Sequence, residues 1–335
     1  MKGFTYLTTA FLAILPALAI PTGSTLQKKA DSSKVGYLAV YWTTADESVY
    51  FALSSNDDAL GFKAINGNKP ILSPTLGTKA VRDTSIITGQ GENAGKFYIL
   101  GTDLNIDEVC TTWDASARTG SRGIFVWEST DLVTWTNERL VTVEDETAGM
   151  AWAPDAYWDS SKGQYFVHWA AQLFSADDTD HTGAPTLNTS MRYSYTSDFK
   201  TFTKPETYVS LGDTGVIDMA LLKDDNTLTR FYVVEGVPVQ QTSTNGLFGD
   251  WTTVKGTIEA GSGYEAPYPF WDNVQNGLAY LLCDKLGSDA GIHAWQSNDQ
   301  TSGTFTVNNT HDLSFMRHLS VLPVNQAQYD ALSAL

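Results

Sequence analysis

Cysteine is nearly absent from this chain: Cys110 and Cys283 are the only two. Two are too few for a disulfide scaffold or a zinc cluster, which leaves either one bridge or two buried thiols. Positive charge is scarce as well, with 21 Lys and Arg against 38 Asp and Glu and a formal net charge of -17. That balance excludes nucleic acid and anionic membrane as partners, because phosphate binding needs clustered cations. Neutral ligands such as sugars are compatible with it. No P-loop and no dinucleotide fingerprint occurs, so no nucleotide or redox cofactor is expected. Beyond the N-terminus there is no long apolar run, and no long helical period appears anywhere.

What the chain does have is aromatic side chains, 12% of 335 residues, and strand-like runs such as "GKFYILGTD", "GQYFVHWAAQ", "RFYVVEG" and "LAYLLCD". A single all-β domain of propeller or barrel size accommodates this length. At the N-terminus, Lys2 precedes an apolar run from Leu7 to Ala19 that ends in Ala17-Leu18-Ala19. This pattern predicts a secretory signal peptide over 1–19, and a propeptide or linker over 20–34 with a dibasic Lys28-Lys29. The folded domain is then 35–335, in a secreted, extracellular and monomeric protein. Sequons at Asn188 and Asn308 fit glycosylation on that route.

Five stretches share a strand, a Ser/Thr with Asp/Asn turn, and an aromatic that opens the next strand. They are "ALSSNDDALGFKAI", "VWESTDLVTWTNERL", "SYTSDFKTFTKPE", "QTSTNGLFGDWTTV" and "AWQSNDQTSGTFTV". Their aromatics, Phe62, Trp135, Phe202, Trp251 and Phe305, recur every 49 to 73 residues, the spacing of four-stranded units. Five such units predict a five-bladed β-propeller, whereas a β-sandwich would not explain the recurring hairpin.

After each aromatic the chain runs on 13 to 21 residues to a polar group at the head of a strand: Asp83, Asp155, Asp218, Glu265 and His318. The first strand of every propeller blade lines the axis, so these five groups are expected to converge at one mouth of the channel. An Asp at a strand entry is often only an Asx-turn. Against that stand the differing local sequences and the apolar neighbours Ile217, Met219, Tyr264, Tyr268 and Phe270. A carboxyl lined by rings, as Glu265 would be, is pushed toward its protonated form, which is what a general acid needs.

At these residues the chain resembles glycoside hydrolase family 43, which includes arabinanases, α-L-arabinofuranosidases and β-xylosidases. "VRDTSI", "WAPD", "VIDMALLKDD", "YEAPYPF" and "RHLSVLP" are similar, in order, to five segments of that family, over nearly the whole mature chain. Thr84 stands where the family usually has proline, and Ala266 and Leu319 where it usually has glycine. The resemblance implies that Asp83 is the general base, that Asp218 tunes pKa and orientation, and that Glu265 is the general acid. It also implies single displacement with inversion, the two carboxyl groups about 6.5–9.5 Å apart with a water between base and anomeric carbon.

Around these three, Asp155, Trp152, Trp169 and Arg317 are candidates for contacting the sugar, together with Trp158 and Phe174. For Asp155 the alternative is bracing the Trp152-Ala153-Pro154 turn, for the aromatics blade packing, and for Arg317 pairing with an acid. His318 is expected to face the axial channel, where some relatives hold calcium through a histidine and waters; a core histidine is the other reading. The expected activity is a secreted exo-acting α-L-arabinofuranosidase on arabinan or arabinoxylan, plant cell-wall polysaccharides. The alternatives are an endo-1,5-α-L-arabinanase or β-xylosidase on the same scaffold, and a non-catalytic carbohydrate-binding propeller.

Overall fold

A computed structural model describes residues 30–335 except 111, 256, 257 and 259–261, with backbone alone at 109, 110 and 302. The signal-peptide segment 1–19 and most of the 20–34 linker lie outside the described residues. From Gly36 onward the chain forms five antiparallel four-stranded sheets arranged as a five-bladed propeller.

Blade I holds β1 (Gly36–Trp42), β2 (Val49–Ser55) and β3 (Asp58–Ala64). Blade II is β4 (Val81–Thr88), β5 (Phe97–Asp103), β6 (Gly123–Ser129) and β7 (Thr136–Thr142). Blade III is β8 (Trp152–Asp159), β9 (Gln164–Leu173), β10 (Leu187–Thr196) and β11 (Glu206–Val209). Blade IV is β12 (Val216–Lys223), β13 (Leu228–Val234), β14 (Val237–Ser243) and β15 (Thr252–Thr253). Blade V is β16 (Tyr264–Trp271), β17 (Ala279–Lys285), β18 (Gly291–Ser297) and β19 (Thr306–Val307). The last strand, β20 (Arg317–Val324), returns to become the innermost strand of blade I, pairing antiparallel with β1 from Gly36↔Val324 onward. Closing the ring with both ends of the chain leaves no inner strand unpaired.

The strands read as continuous apolar runs because both faces of each blade are buried, each in a different core. In β9, Tyr165, Val167 and Trp169 enter the core shared with blade II, while Phe166 and Ala170 enter the core shared with blade IV. In β1, Tyr37, Ala39 and Tyr41 pack toward blade V, and Leu38 and Val40 toward blade II. Five such clusters fill the five gaps between blades. The period-two alternation of a strand is thus preserved, but it separates two cores rather than core from solvent.

The sequence repeat is the hairpin joining the third and fourth strands of each blade. In blade II, Asp131 Oδ1 accepts from the backbone N–H of Val133 and Thr134 at 2.9 and 2.7 Å, Leu132 is left-handed, and the Trp135 indole N–H donates to Leu132 O at 3.0 Å. Blade III repeats the turn with Asp198 accepting from Lys200 and Thr201, and Phe199 left-handed. Each is an Asx-turn, which explains why Asp and Asn recur at that place.

Among the described residues, helix is confined to short pieces. α1 (Trp113–Thr119), in the β5–β6 connection, is capped by the Thr112 hydroxyl. α2 (Gln326–Ser333) follows β20 and starts with a capping box between Asn325 and Gln328. Tyr329 of α2 packs so closely on Gly36 that a Cβ there would lie 2.8 Å from its ring. No helix among the described residues is long and apolar enough to cross a membrane. Cys283 is a buried free thiol in β17, and the Cys110 side chain lies outside the described residues.

Because β20 closes the ring, deleting residues 321–335 is expected to abolish cooperative unfolding as followed by circular dichroism. A truncated chain that melts like the intact one would contradict the closure.

Candidate active site

Every inner strand carries the same irregularity at the same height. Register slips between Arg82 and Ser85 in β4, Trp152 and Asp155 in β8, Ile217 and Ala220 in β12, and Glu265 and Tyr268 in β16. In β20 it slips between the pairs Trp42↔Arg317 and Val40↔Ser320. Each slip contains one residue with positive φ: Asp83 (53°), Ala153 (51°), Asp218 (55°), Ala266 (51°) and His318 (28°). In a regular strand neighbouring side chains point to opposite faces, whereas a bulge breaks that alternation. Consequently Arg82 with Asp83, Ile217 with Asp218, and Arg317 with His318 all line one pocket as adjacent pairs.

That pocket measures about 580 Å³, within the range of small-molecule sites. Its ring is formed by the residue preceding each bulge, one per blade: Arg82, Trp152, Ile217, Glu265 and Arg317. Asp83, Asp218 and His318 lie with them, and Trp42, Trp113 and Asp284 complete the walls. Below it the channel narrows to about 20 Å³ between Ser85, Asp155, Tyr268 and Ser320, the next ring down.

Six of the sequence candidates therefore meet in one pocket: Asp83, Asp218, Glu265, Trp152, Arg317 and His318. Asp155 does not line it. It sits in the lower ring, where Ser85 donates to Pro154 O at 2.7 Å, Asp155 Oδ1 accepts from Ala156 N at 2.8 Å, and burial drives its pKa up to about 7. The sequence signal for that position was the shared Ala-Pro of "WAPD" and "EAPY", which aligns Asp155 with Tyr268 rather than with Glu265. Trp169 is fully buried in the blade II–III core with its indole N–H on Glu144. Trp158 packs on Tyr165 and Phe174 on His181. These three aromatics are packing residues away from the pocket. Arg82, Trp42, Trp113 and Asp284 were not singled out from sequence; Arg82 was one residue from a chosen acid.

The charges are arranged in a chain of dependence. Asp83 Oδ1 lies 3.1 Å from His318 Nδ1. Burial alone would raise the Asp83 pKa, but the charge and hydrogen bond of His318, with a hydrogen bond from Thr102, outweigh it and hold the carboxyl below its ordinary value. For His318, burial opposes the charge, yet Asp83 and Asp218 prevail and keep the imidazole protonated up to about 9. Asp218 and Glu265 go the other way. Burial first, then the neighbouring Asp83 charge, raises Asp218; burial first, then Asp218, pushes Glu265 up to about 8. Two carboxyl groups in one pocket are thus held in opposite states near neutrality, Asp83 ionised and Glu265 protonated.

Backbone contacts fix these positions. Asp218 Oδ2 accepts from Ala266 N at 3.0 Å, tying the bulge of β12 to that of β16 and setting Glu265 next to it. Asp284 accepts from Arg317 Nε with both oxygens at 2.8 Å and from His318 N at 3.0 Å. Arg317 therefore pairs with Asp284 and with none of the three acids. Arg82 pairs with Glu47, and both guanidinium groups lie against the Trp42 ring, at 4.6 and 5.7 Å.

His318 lines both the pocket and the channel below it. Its Nδ1 faces Asp83 Oδ1 at 3.1 Å. Among the described residues, no group of three His, Cys, Asp or Glu side chains is placed to hold a metal.

Five blades around an axial pocket with four acids in its wall, Asp83, Asp218, Glu265 and Asp284, make a propeller of the glycoside hydrolase class. The chain belongs to the glycosyl hydrolase 43-related family, whose model, described as "Probable glycosyl hydrolase domain", matches residues 33–330. It is 30% identical over 201 residues, 56% of its length, to an α-L-arabinofuranosidase of Bifidobacterium longum subsp. longum; the match spans 18% of that relative. Its fold is similar to that of an α-L-arabinofuranosidase from Fusarium graminearum solved with an iminosugar inhibitor (TM-score 0.53, 13% identity, 86% of this chain and 82% of that one). The catalytic domain of a GH62 α-L-arabinofuranosidase from Coprinopsis cinerea is similar too (TM-score 0.51, 14% identity, 74% and 75% covered).

Ala266 supplies a local test. A left-handed alanine costs roughly 1–2 kcal/mol, while glycine there would give back roughly 0.4–1 kcal/mol through the more flexible unfolded chain. Ala266→Gly is therefore expected to stabilise the protein by about 0.5–1 kcal/mol in urea titrations. A loss of stability would contradict the strain assigned to this bulge.

Proposed function

We propose that the protein is an inverting, exo-acting α-L-arabinofuranosidase that removes arabinose from arabinan or arabinoxylan outside the cell. One observation carries this reading: Asp83 and Glu265 share a pocket but are held in opposite protonation states, with Asp218 beside Glu265. Glu265 gives its proton to the leaving glycosidic oxygen. Asp83 takes a proton from the water that attacks the anomeric carbon from the opposite side. Asp218 keeps Glu265 protonated by like-charge repulsion, and His318 keeps Asp83 ionised. The named activity of the Bifidobacterium relative supports the choice of sugar. The apolar run at the N-terminus and the small-residue pattern at Ala17 to Ala19 support export.

Linear arabinan, arabinoxylan and xylo-oligosaccharides are the substrates for the test, with early products followed by proton NMR. Arabinose released first as the β-anomer, without larger oligomers, is expected. A ladder of oligomers would overturn exo action, xylose would overturn the sugar, and α-arabinose as first product would overturn inversion. Asp83→Asn and Glu265→Gln should each lower kcat roughly 10²–10⁴-fold.

The pH profile separates the supporting roles. Activity needs Asp83 ionised and Glu265 protonated, so it falls on the acid side as Asp83 gains a proton and on the alkaline side as Glu265 loses one. His318→Asn removes the cation that lowers Asp83, and the acid limb is expected to move to higher pH. Asp218→Asn removes the charge that raises Glu265, and the alkaline limb is expected to move to lower pH. Limbs that stay in place, or move in the opposite sense, would refute these assignments.

A further inference from the structure

The pocket has a neighbour that the proposed reaction does not use. A second hollow, of about 890 Å³, is lined by Arg118, Arg122, Glu144, Glu146, Ala176 and Thr179 among others. It is built from the β5–β6, β7–β8 and β9–β10 connections, and the chain enters the head of β8, at the pocket, from the second of these. The two hollows share one wall, α1. Trp113 at the start of this helix lines the catalytic pocket, and Arg118 and Thr119 at its end line the second hollow. Over six residues the helix spans about 9 Å, a length of about two sugar units.

Trp113 has no packing reason to be there. It is 59% exposed, the most exposed tryptophan among the large apolar side chains at the surface. It is nevertheless held in place by the edge of Trp152 at 6.2 Å and the Arg82 guanidinium at 5.4 Å. A large, mostly exposed ring held at the wall of a pocket is a stacking platform for an amphipathic ligand. In the second hollow, Arg122 is half-buried and pairs with no carboxylate among the described residues. Asp145, Glu146 and Asp178 outnumber the two arginines there, Glu144 being buried and paired with Arg192, which disfavours an anionic polymer.

We propose that α1 is a saddle over which a neutral polysaccharide lies, stacked on Trp113 and reaching into the Arg122 hollow while its terminal sugar occupies the catalytic pocket. The substrate class follows from the reading given under Proposed function: a long neutral glycan chain, bound over several units, rather than a short oligosaccharide held by the pocket alone. Arg122 donates to sugar hydroxyls, and the acids around it accept from them.

Binding tests this without requiring turnover. Mobility in native gels cast with arabinoxylan or linear arabinan would be measured for the wild type, Trp113→Ala and Arg122→Ala, with a melting curve for each. Each substitution is expected to weaken retention by one of the two polysaccharides roughly fivefold to tenfold, with the melting temperature unchanged. That result supports the saddle whether or not the wild type cleaves the polymer, so a failure of the hydrolase reading stays distinguishable. Retention equal to wild type in both variants, or no retention of the wild type on either polysaccharide, would overturn it. Should Trp113→Ala alter the melting curve, Trp113→Phe is expected to restore retention, and Phe behaving like Ala would count against stacking.

Discussion

The site depends on one backbone constraint, repeated five times: a bulge with a left-handed residue near the head of each inner strand. A straight strand at the axis would present only alternate side chains to the mouth. The bulge lets two successive residues face the same pocket, and so places Arg82 with Asp83 and Arg317 with His318. Left-handed backbone is strained for residues other than glycine, and such strain persists only where surrounding structure over-determines it. Here the determinants are visible. Asp218 accepts from the backbone of the next bulge at Ala266, and Asp284 accepts from the backbone of His318. Polar side chains of one strand thus stabilise the irregularity of another.

Electrostatics follows from that geometry. A ring of acids in a low-dielectric pocket would all be neutral if burial acted alone. His318 breaks the symmetry, because it stands directly against Asp83 and makes that one carboxylate the stable anion. Once Asp83 is charged it adds to burial in raising Asp218 to about 6, and the charge of Asp218 adds to burial in raising Glu265 to about 8. Opposite protonation states for Asp83 and Glu265 are a consequence of which residue has the cation as its neighbour. Asp284 plays a comparable part for Arg317, keeping a guanidinium at the pocket wall without drawing it onto the acids.

Much of this was legible in the sequence, for identifiable reasons. The Ser/Thr–Asp/Asn hairpin recurs because its chemistry is local, and its five copies in the sequence revealed the number of blades. That Asp83, Asp218 and Glu265 meet in one pocket was legible because acids beside apolar residues at strand heads are conspicuous. The ring that each side chain occupies was harder to read, since a bulge shifts it by one position. Asp155 was therefore placed at the mouth although it lies one ring below. Trp169 reads as a sugar platform in sequence because the strand has two buried faces and nothing local says which core a tryptophan joins. Trp42 and Asp284 reach the pocket from strands paired with the inner strand, opposite Arg317 and Glu265, and Trp113 from the β5–β6 connection; no local pattern encodes these pairings.

The central claim is that Glu265 is protonated and Asp83 ionised in the resting protein near neutral pH. The most direct measurement is the titration of carboxyl carbons by NMR in protein labelled with ¹³C at Glu Cδ and Asp Cγ, assigned by comparison with Glu265→Gln and Asp83→Asn. One glutamate resonance titrating near 8, absent from Glu265→Gln, together with an Asp83 signal ionised well below the ordinary aspartate range, is the predicted result. A Glu265 signal that titrates in the ordinary carboxyl range, or an Asp83 signal raised above it, would contradict the assignment of acid and base.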